Sequence, residues 1–156
     1  AGIATSARSL VQSMSEIIWA LNPQNDTLEN LLTYSREQSQ KYFEPFDVRF
    51  DILFPEMVPD IRLSNEQRRN LYLVIREALN NAMKHSGATN IALKLEIIES
   101  TLCFNVSDDG TGIGEKPGRP DSNGLRNMRN RMENIGGTIG WLKPDKGTTV
   151  RFCLDL

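Results

Sequence analysis

Two stretches of the chain combine residue types that chemistry needs with spacings that would hold them around a ligand. Asp108-Asp109-Gly110-Thr111-Gly112-Ile113-Gly114 closes an alternating apolar run. A carboxylate would therefore stand at a strand end, followed by glycines where backbone can approach a bound molecule. Upstream, Arg76-Glu77-Ala78-Leu79-Asn80-Asn81-Ala82-Met83-Lys84-His85 lies in a helical pattern. Helical geometry puts Glu77, Asn81 and Lys84 within roughly 60° of one another. That stripe borders the apolar arc of Leu71, Val74, Ile75, Ala78, Leu79 and Ala82, as the wall of a pocket would. Asparagine is a poor mid-helix residue, so Asn80-Asn81 points to tertiary duties. A carboxamide oxygen is a hard ligand suited to magnesium, which takes one or two protein groups and keeps waters and phosphate oxygens.

Each motif also has a plainer reading. Asp108 in an apolar setting needs donors, and the exocyclic amine of a base would serve, with Gly110, Gly112 and Gly114 allowing close approach. The alternative is a simple Asp-Asp-Gly turn. The Glu–Lys stripe, taken alone, is equally a solvated helix face. Gly124-Leu125-Arg126-Asn127-Met128 opens a helix after a polar segment. The unpaired N–H groups there favour anions, so a phosphate tail fits, with Arg126 and Arg129 adding charge or forming an exposed basic face. His85 follows the pocket stripe near a helix C-terminus, where imidazolium also suits the dipole, so it is expected at a pocket rim rather than as a phosphoryl acceptor. A last signal, Lys146-Gly147-Thr148-Thr149-Val150, completes the series. Four motifs in this order, three of them glycine-bearing, support one another as no single one could.

The elements that must position these groups follow from periodicity. Leu10, Met14, Ile17 and Leu21, widened by Val11 and Ile18, predict a helix over 5–21 with an apolar seam. Asn22-Pro23 breaks it. Asp26 with Glu29 resembles a capping box for a second helix through Phe43, with Leu28, Leu31 and Leu32 inward. Val48 to Phe54 alternates as a strand with one buried face. Ser64 and Gln67 cap a long helix to about Ser86, closed by Gly87. Strands are expected at Ile91–Ile98, Leu102–Ser107, Ile139–Leu142 and Thr149–Leu154, with a helix from Gly124 to Ile135. Strand pairs joined by short links predict an α+β two-layer α/β sandwich: a mixed, mostly antiparallel sheet with helices on one face.

A chain of 156 residues and 17.6 kDa is long enough for one domain and a short appendage. A net charge of -2 and a pI near 5.5 give no basic field for a nucleic-acid backbone, so that partner is disfavoured. No apolar run approaches the ~20 residues of a membrane span. Cys103 and Cys153 stand fifty positions apart in strand patterns, outside any CxxC pair, and are expected as small buried hydrophobes in a reducing compartment, with a disulfide or metal role as the alternative. One histidine rules against a clustered zinc site.

Together these residues resemble the Bergerat-fold ATPases, the class of gyrase, heat-shock chaperone and mismatch-repair ATPases, and most closely the sensor histidine kinases. The resemblance covers roughly residues 28–156 and is strongest to the branch of nitrate and membrane-fluidity sensors. Arg76 to His85 matches the N box, implying Asn81 at the magnesium position. Asp108-Asp109-Gly110-Thr111-Gly112 matches the first glycine box, implying Asp108 as the adenine-reading carboxylate. Gly124-Leu125-Arg126-Asn127-Met128 through Gly136-Gly137 matches the second, and Gly147-Thr148-Thr149 the closing element, where Thr148 would help hold adenine. Ile113 and Leu125 belong to the same implied nucleotide pocket, with a short lid at 114–123.

The resemblance further implies residues 1–27 as the end of a dimerisation helix with its linker, and 28–156 as the catalytic domain. ATP and Mg2+ are the implied ligands, with Glu77 and Asn81 in catalytic roles and Lys84, His85, Gly110, Gly112, Gly124 and Arg126 around the nucleotide. The phosphoryl group would go to a histidine of a dimerisation domain outside this chain, because no acceptor histidine precedes the linker here. A response regulator would follow as partner, and the parent would be a homodimer, cytoplasmic in this portion and membrane-anchored elsewhere. The alternatives are an anti-sigma-factor-type serine kinase and an ATP-binding regulatory module without transfer.

Overall fold

The computed structural model describes residues 2–85, 87–110, 122–143 and 146–156. In chain order it contains α1 (Gly2–Leu21), a 3-10 turn (Pro23–Asn25), α2 (Leu28–Phe43), β1 (Arg49–Leu53), α3 (Asn65–His85), β2 (Asn90–Ile98) and β3 (Thr101–Asp108). After it come α4 (Ser122–Asn134), β4 (Thr138–Leu142) and β5 (Thr148–Asp155). The sheet order is β1-β2-β3-β5-β4, with β1 parallel to β2 and every other pair antiparallel. This is the mixed, mostly antiparallel α+β arrangement that the strand spacing predicts.

Alternation along the strands divides the sheet into two faces. Leu93, Leu95, Leu102, Phe104, Val106, Val150, Phe152 and Leu154 are buried on one face. The predicted apolar arc of α3 packs in the same core, as do Leu28, Leu31 and Leu32 of α2 and Met128 and Met132 of α4. Burial of this apolar surface is the main term holding the two layers together, at about 25 cal/mol per Å2 removed from water.

Local chemistry sets the helix ends, with two corrections. Ser64 and Gln67 form the expected reciprocal box: the Ser64 N–H donates to Gln67 Oε1 at 2.8 Å and the Gln67 N–H to Ser64 Oγ at 3.1 Å. Gly87 follows α3 in the left-handed region, at φ 62°. For α2, however, the N-cap is Thr27, whose hydroxyl accepts from the Asn30 N–H, not Asp26. Asp26 instead accepts from Arg62, a donor from beyond the local sequence. The second correction is that α4 begins at Ser122, so Gly124 lies inside its first turn rather than opening it.

Cys103 and Cys153 depart furthest from expectation. The β3·β5 register sets them directly opposite one another, Cα atoms 4.2 Å apart, and they form a disulfide in place of two free thiols. Fifty positions of sequence separation concealed a neighbourhood that only strand pairing creates.

The apolar seam of α1 is largely solvent-exposed, with Leu10 at 63% and Ile18 at 66% exposure. The opposite side of the helix holds it to the sandwich. Glu16 is buried against Arg76, and the Trp19 ring stacks on Tyr34 with centroids 4.2 Å apart. The Ala20 carbonyl accepts from the buried Arg68 guanidinium at 2.6 Å. No helix among the described residues is long and apolar enough to cross a membrane.

Candidate functional site

Asp108 ends β3 on the core face, in register with Ile91 on one side and Thr148 on the other. Thr148 is buried, and its backbone N–H donates to the Asp108 carboxylate. The Gly110 N–H donates to Asp108 Oδ1 at 3.0 Å. Burial pushes the Asp108 carboxyl above the ordinary carboxylate range, and those two backbone donors only partly oppose the shift. Among the described residues no cation pairs with it. The result is a half-buried acceptor, positioned by backbone and left to seek a further donor, which fits an exocyclic amine.

Gly147 makes this rung possible. Its φ is 86°, and a Cβ there would lie 1.8 Å from the Asp108 carbonyl oxygen, so only glycine lets β5 start against the end of β3. Asp109 has a separate duty. Its carboxylate accepts from the Thr89 and Asn90 N–H groups at 2.8 and 2.9 Å and from both side chains. Those hydrogen bonds, Asn90 first, depress its pKa and tie the start of β2 to the end of β3. Sequence reading missed this structural role, which a carboxylate beside a strand end does not reveal without its partner strand.

On α3 the predicted stripe divides by environment. Glu77 and Asn81 are half-buried, whereas Lys84 is exposed. Asn80 resolves half of the asparagine puzzle, because its Oδ1 accepts from the Tyr42 hydroxyl at 2.7 Å. Burial first, then the Glu77 carboxylate, push the Tyr42 hydroxyl pKa up and keep it a donor. The Asn81 carboxamide, by contrast, has no hydrogen-bond partner among the described residues, though half-buried. A hard neutral oxygen held on a rigid helix without a protein donor fits Mg2+, a cation that needs few protein ligands. No cluster of three acidic, His or Cys side chains exists among the described residues to hold a metal otherwise.

Gly124 meets Glu77 directly. A Cβ on Gly124 would lie 2.3 Å from Glu77 Oε1, so the carboxylate rests against the first turn of α4. Gly124 is the third residue of that helix, so its N–H remains among those with no intrahelical acceptor. Leu125 is half-buried beside it and Arg126 is exposed. Arg129, which the sequence offered as a second phosphate cation, lies over the Trp141 ring at 5.6 Å. Gly112 and Ile113, like residues 114–121 of the lid expected at 114–123, lie outside the described residues, as does the side chain of His85, while the last two lid positions belong to α4.

A cavity of about 450 Å3 opens elsewhere, between α1, α2 and α3, lined by Tyr42, Tyr72, Arg76 and Asn80 among others. It contains none of the predicted site residues, and within it Tyr42 is engaged with Asn80 and Arg76 with Glu16. The predicted site residues that the structure describes lie instead around the Asp108–Thr148 rung, on α3 and in the first turn of α4.

Comparison with known proteins agrees with this geometry. The family model for histidine kinase-, DNA gyrase B-, and HSP90-like ATPases matches residues 66–156. The nitrate/nitrite sensor protein NarQ of Escherichia coli (strain K12) is 32% identical over 158 aligned residues, covering 93% of this chain and 27% of NarQ. The sensor histidine kinase LiaS of Bacillus subtilis (strain 168) is 31% identical over 108, covering 69% of this chain and 28% of LiaS. The chain thus spans little more than a quarter of these relatives.

Among solved structures, the blue-light activated histidine kinase of Erythrobacter litoralis EL346 aligns with TM-score 0.71 and 18% identity over 94% of this chain and 52% of its own. The catalytic domain of histidine kinase ThkA aligns with TM-score 0.67 and 19% identity, covering 83% and 92% respectively. At these identities the likeness concerns the fold. Since the family model spans the helix with Asn81 and both strands of the Asp108–Thr148 rung, the protein belongs to the histidine kinase-, DNA gyrase B-, and HSP90-like ATPase family.

Proposed function

We propose that this chain is the ATP-binding catalytic region of a two-component sensor histidine kinase, and that it presents Mg-ATP to a histidine outside itself. The observation that carries the reading is the backbone-held, half-buried Asp108 in register with Thr148, facing a helix whose Asn81 carboxamide has no protein partner among the described residues. The kinship with NarQ and LiaS supports the kinase branch over a serine kinase or a binding-only module. The solved ShkA structure, of similar fold at TM-score 0.66, is a complex with AMPPNP, which supports adenine nucleotide as the ligand.

In this reading Asp108 accepts the hydrogen bond of the adenine amine and Thr148 steadies the base. Asn81 would hold Mg2+, which supplies charge neutralisation at the phosphates. Lys84, the N–H groups at the first turn of α4 and the adjacent Arg126 would surround the phosphate tail. Phosphoryl transfer asks the protein mainly to position groups and balance charge. Glu77, held beside Gly124, is placed to take the acceptor's proton. Residues 1–27 would be the end of a dimerisation helix with its linker and 28–156 the catalytic domain. The parent would be a homodimer serving a response regulator, cytoplasmic in this portion.

The test uses γ-labelled ATP. The chain alone should bind Mg-ATP yet take up no acid-labile phosphate, because His85 shares a helix with Asn81 and cannot reach in line. Added dimerisation helices bearing a histidine should become labelled, and Asn81→Ala should abolish that labelling. Acid-labile phosphate on the isolated chain, lost in His85→Gln, would refute the assignment.

A further inference from the structure

Where α1, α3 and α4 meet, a second cavity of about 170 Å3 is lined by Arg69, Arg76 and Arg131 together with Glu16, Ser13 and Tyr72, among others. The helix pair explains why two of these arginines converge. Gly124 packs on Glu77, so α4 runs back along α3, and seven residues later Arg131 comes into electrostatic range of Arg69 and Arg76. Along the axis that places it about 10 Å from the first turn of α4, away from the nucleotide site.

The charge inventory does not balance. Glu16 is committed to Arg76, whose Nη1 reaches its two oxygens at 2.6 and 2.5 Å. Glu77 attracts Arg131 at longer range but leans on Gly124. Neither Arg69 nor Arg131 has a hydrogen bond or ion pair among the described residues. Arg131 is half-buried all the same, and burial first, then Arg69 and Arg76, lower its pKa. As a basic residue in the last turn of α4 it also meets the carbonyl end of that helix, which rationalises one cation there but not a second across from it. Like charges set together on facing helices cost stability unless something negative lies between them.

We propose that this cavity is a binding site for a phosphate-sized oxyanion, held between the guanidinium groups of Arg69 and Arg131. A planar fork of N–H donors on each side matches the oxygens of such an anion. The volume falls below the ~300 Å3 lower bound of drug-sized pockets, which excludes a nucleotide. Because α1 forms one wall, the bound anion would tie that helix to α3 and α4. The site stands apart from the nucleotide reading and does not depend on it.

The test measures the thermal midpoint of the whole chain in sodium phosphate against sodium chloride at matched ionic strength, with saturating Mg-ADP present. Phosphate should raise the midpoint saturably where chloride does not. Arg69→Gln and Arg131→Gln should each weaken apparent phosphate affinity at least tenfold, while Arg49→Gln on the far edge strand should leave it unchanged. Should either glutamine variant fail to fold, the arginine Nε–Hε resonances of the unaltered chain decide, since those of Arg69 and Arg131 should move with phosphate. The proposal is overturned if phosphate acts no differently from chloride or if both glutamine variants respond as the parent does. It fails equally if the response vanishes under Mg-ADP, which would place the anion in the nucleotide site.

Discussion

Asp108 carries opposite consequences for stability and for binding. Its folded-state pKa is raised by burial, so the ionised form is the less favoured one in the fold. A raised carboxyl contributes stability that is present below the unfolded pKa and lost as pH rises through the folded one. Asp108→Asn should therefore raise the melting midpoint of the ligand-free chain at pH 7, and the gain should vanish below the ordinary carboxylate range. The same change puts a donor where the adenine amine needs an acceptor. An unmet buried polar group costs ~1–3 kcal/mol, so ATP affinity should fall about ten- to hundredfold by calorimetry. Unchanged affinity with unchanged ATP-over-GTP preference would remove Asp108 from the site. Asn81→Ala makes a different prediction: nucleotide affinity measured in EDTA should hardly move, while the gain on adding magnesium shrinks. A loss of equal size in both conditions would make Asn81 structural.

Two glycines set how the elements meet, and they should respond differently to the same substitution. At Gly147 the obstacle is backbone, and φ lies in the left-handed region. Gly147→Ala should cost upwards of ~1 kcal/mol from conformation alone, with further loss as β5 is forced from β3, and nucleotide binding should fall with it. At Gly124 the obstacle is the end of a flexible Glu77 side chain. Gly124→Ala should thus leave the melting midpoint nearly unchanged while displacing Glu77, so that phosphoryl transfer drops more than ATP affinity. A denaturation curve and a single-turnover transfer assay on both variants separate the two cases. Equal destabilisation by both would mean that α4 does not rest on Glu77 as described.

At the scale of the molecule, the cross-strand disulfide joins β3 to β5, the same two strands whose far ends form the Asp108–Thr148 rung. Closing a loop of 50 residues removes unfolded-state entropy worth up to ~4 kcal/mol in the chain-entropy model. Chain purified without reductant should show no titratable thiol until reduced, and reduction should lower the melting midpoint by several degrees. Two free thiols in the native oxidised preparation would restore the expectation of independent buried cysteines. The attachment of α1 is of another kind, through Glu16–Arg76 and the Trp19–Tyr34 stack on one side and exposed seam residues on the other.

What the sequence by itself determined about this protein is whatever short-range chemistry dictates. Periodicity located the α-helices and strands described, the Ser64–Gln67 box and Gly87 marked the ends of α3, and the four motifs in their order pointed to the family. The tertiary structure decided whatever depends on a partner distant in the chain. Strand register joined Cys103 to Cys153 and set Thr148 beside Asp108, while Tyr42 claimed Asn80 and left its neighbour Asn81 without a hydrogen-bond partner among the described residues. Helix packing brought Glu16 to Arg76 and Arg131 to Arg69, across 60 and 62 positions respectively. Propensity and spacing act within a few residues of the backbone, whereas pairing and burial act through space, and no local pattern encodes which distant side chain will arrive.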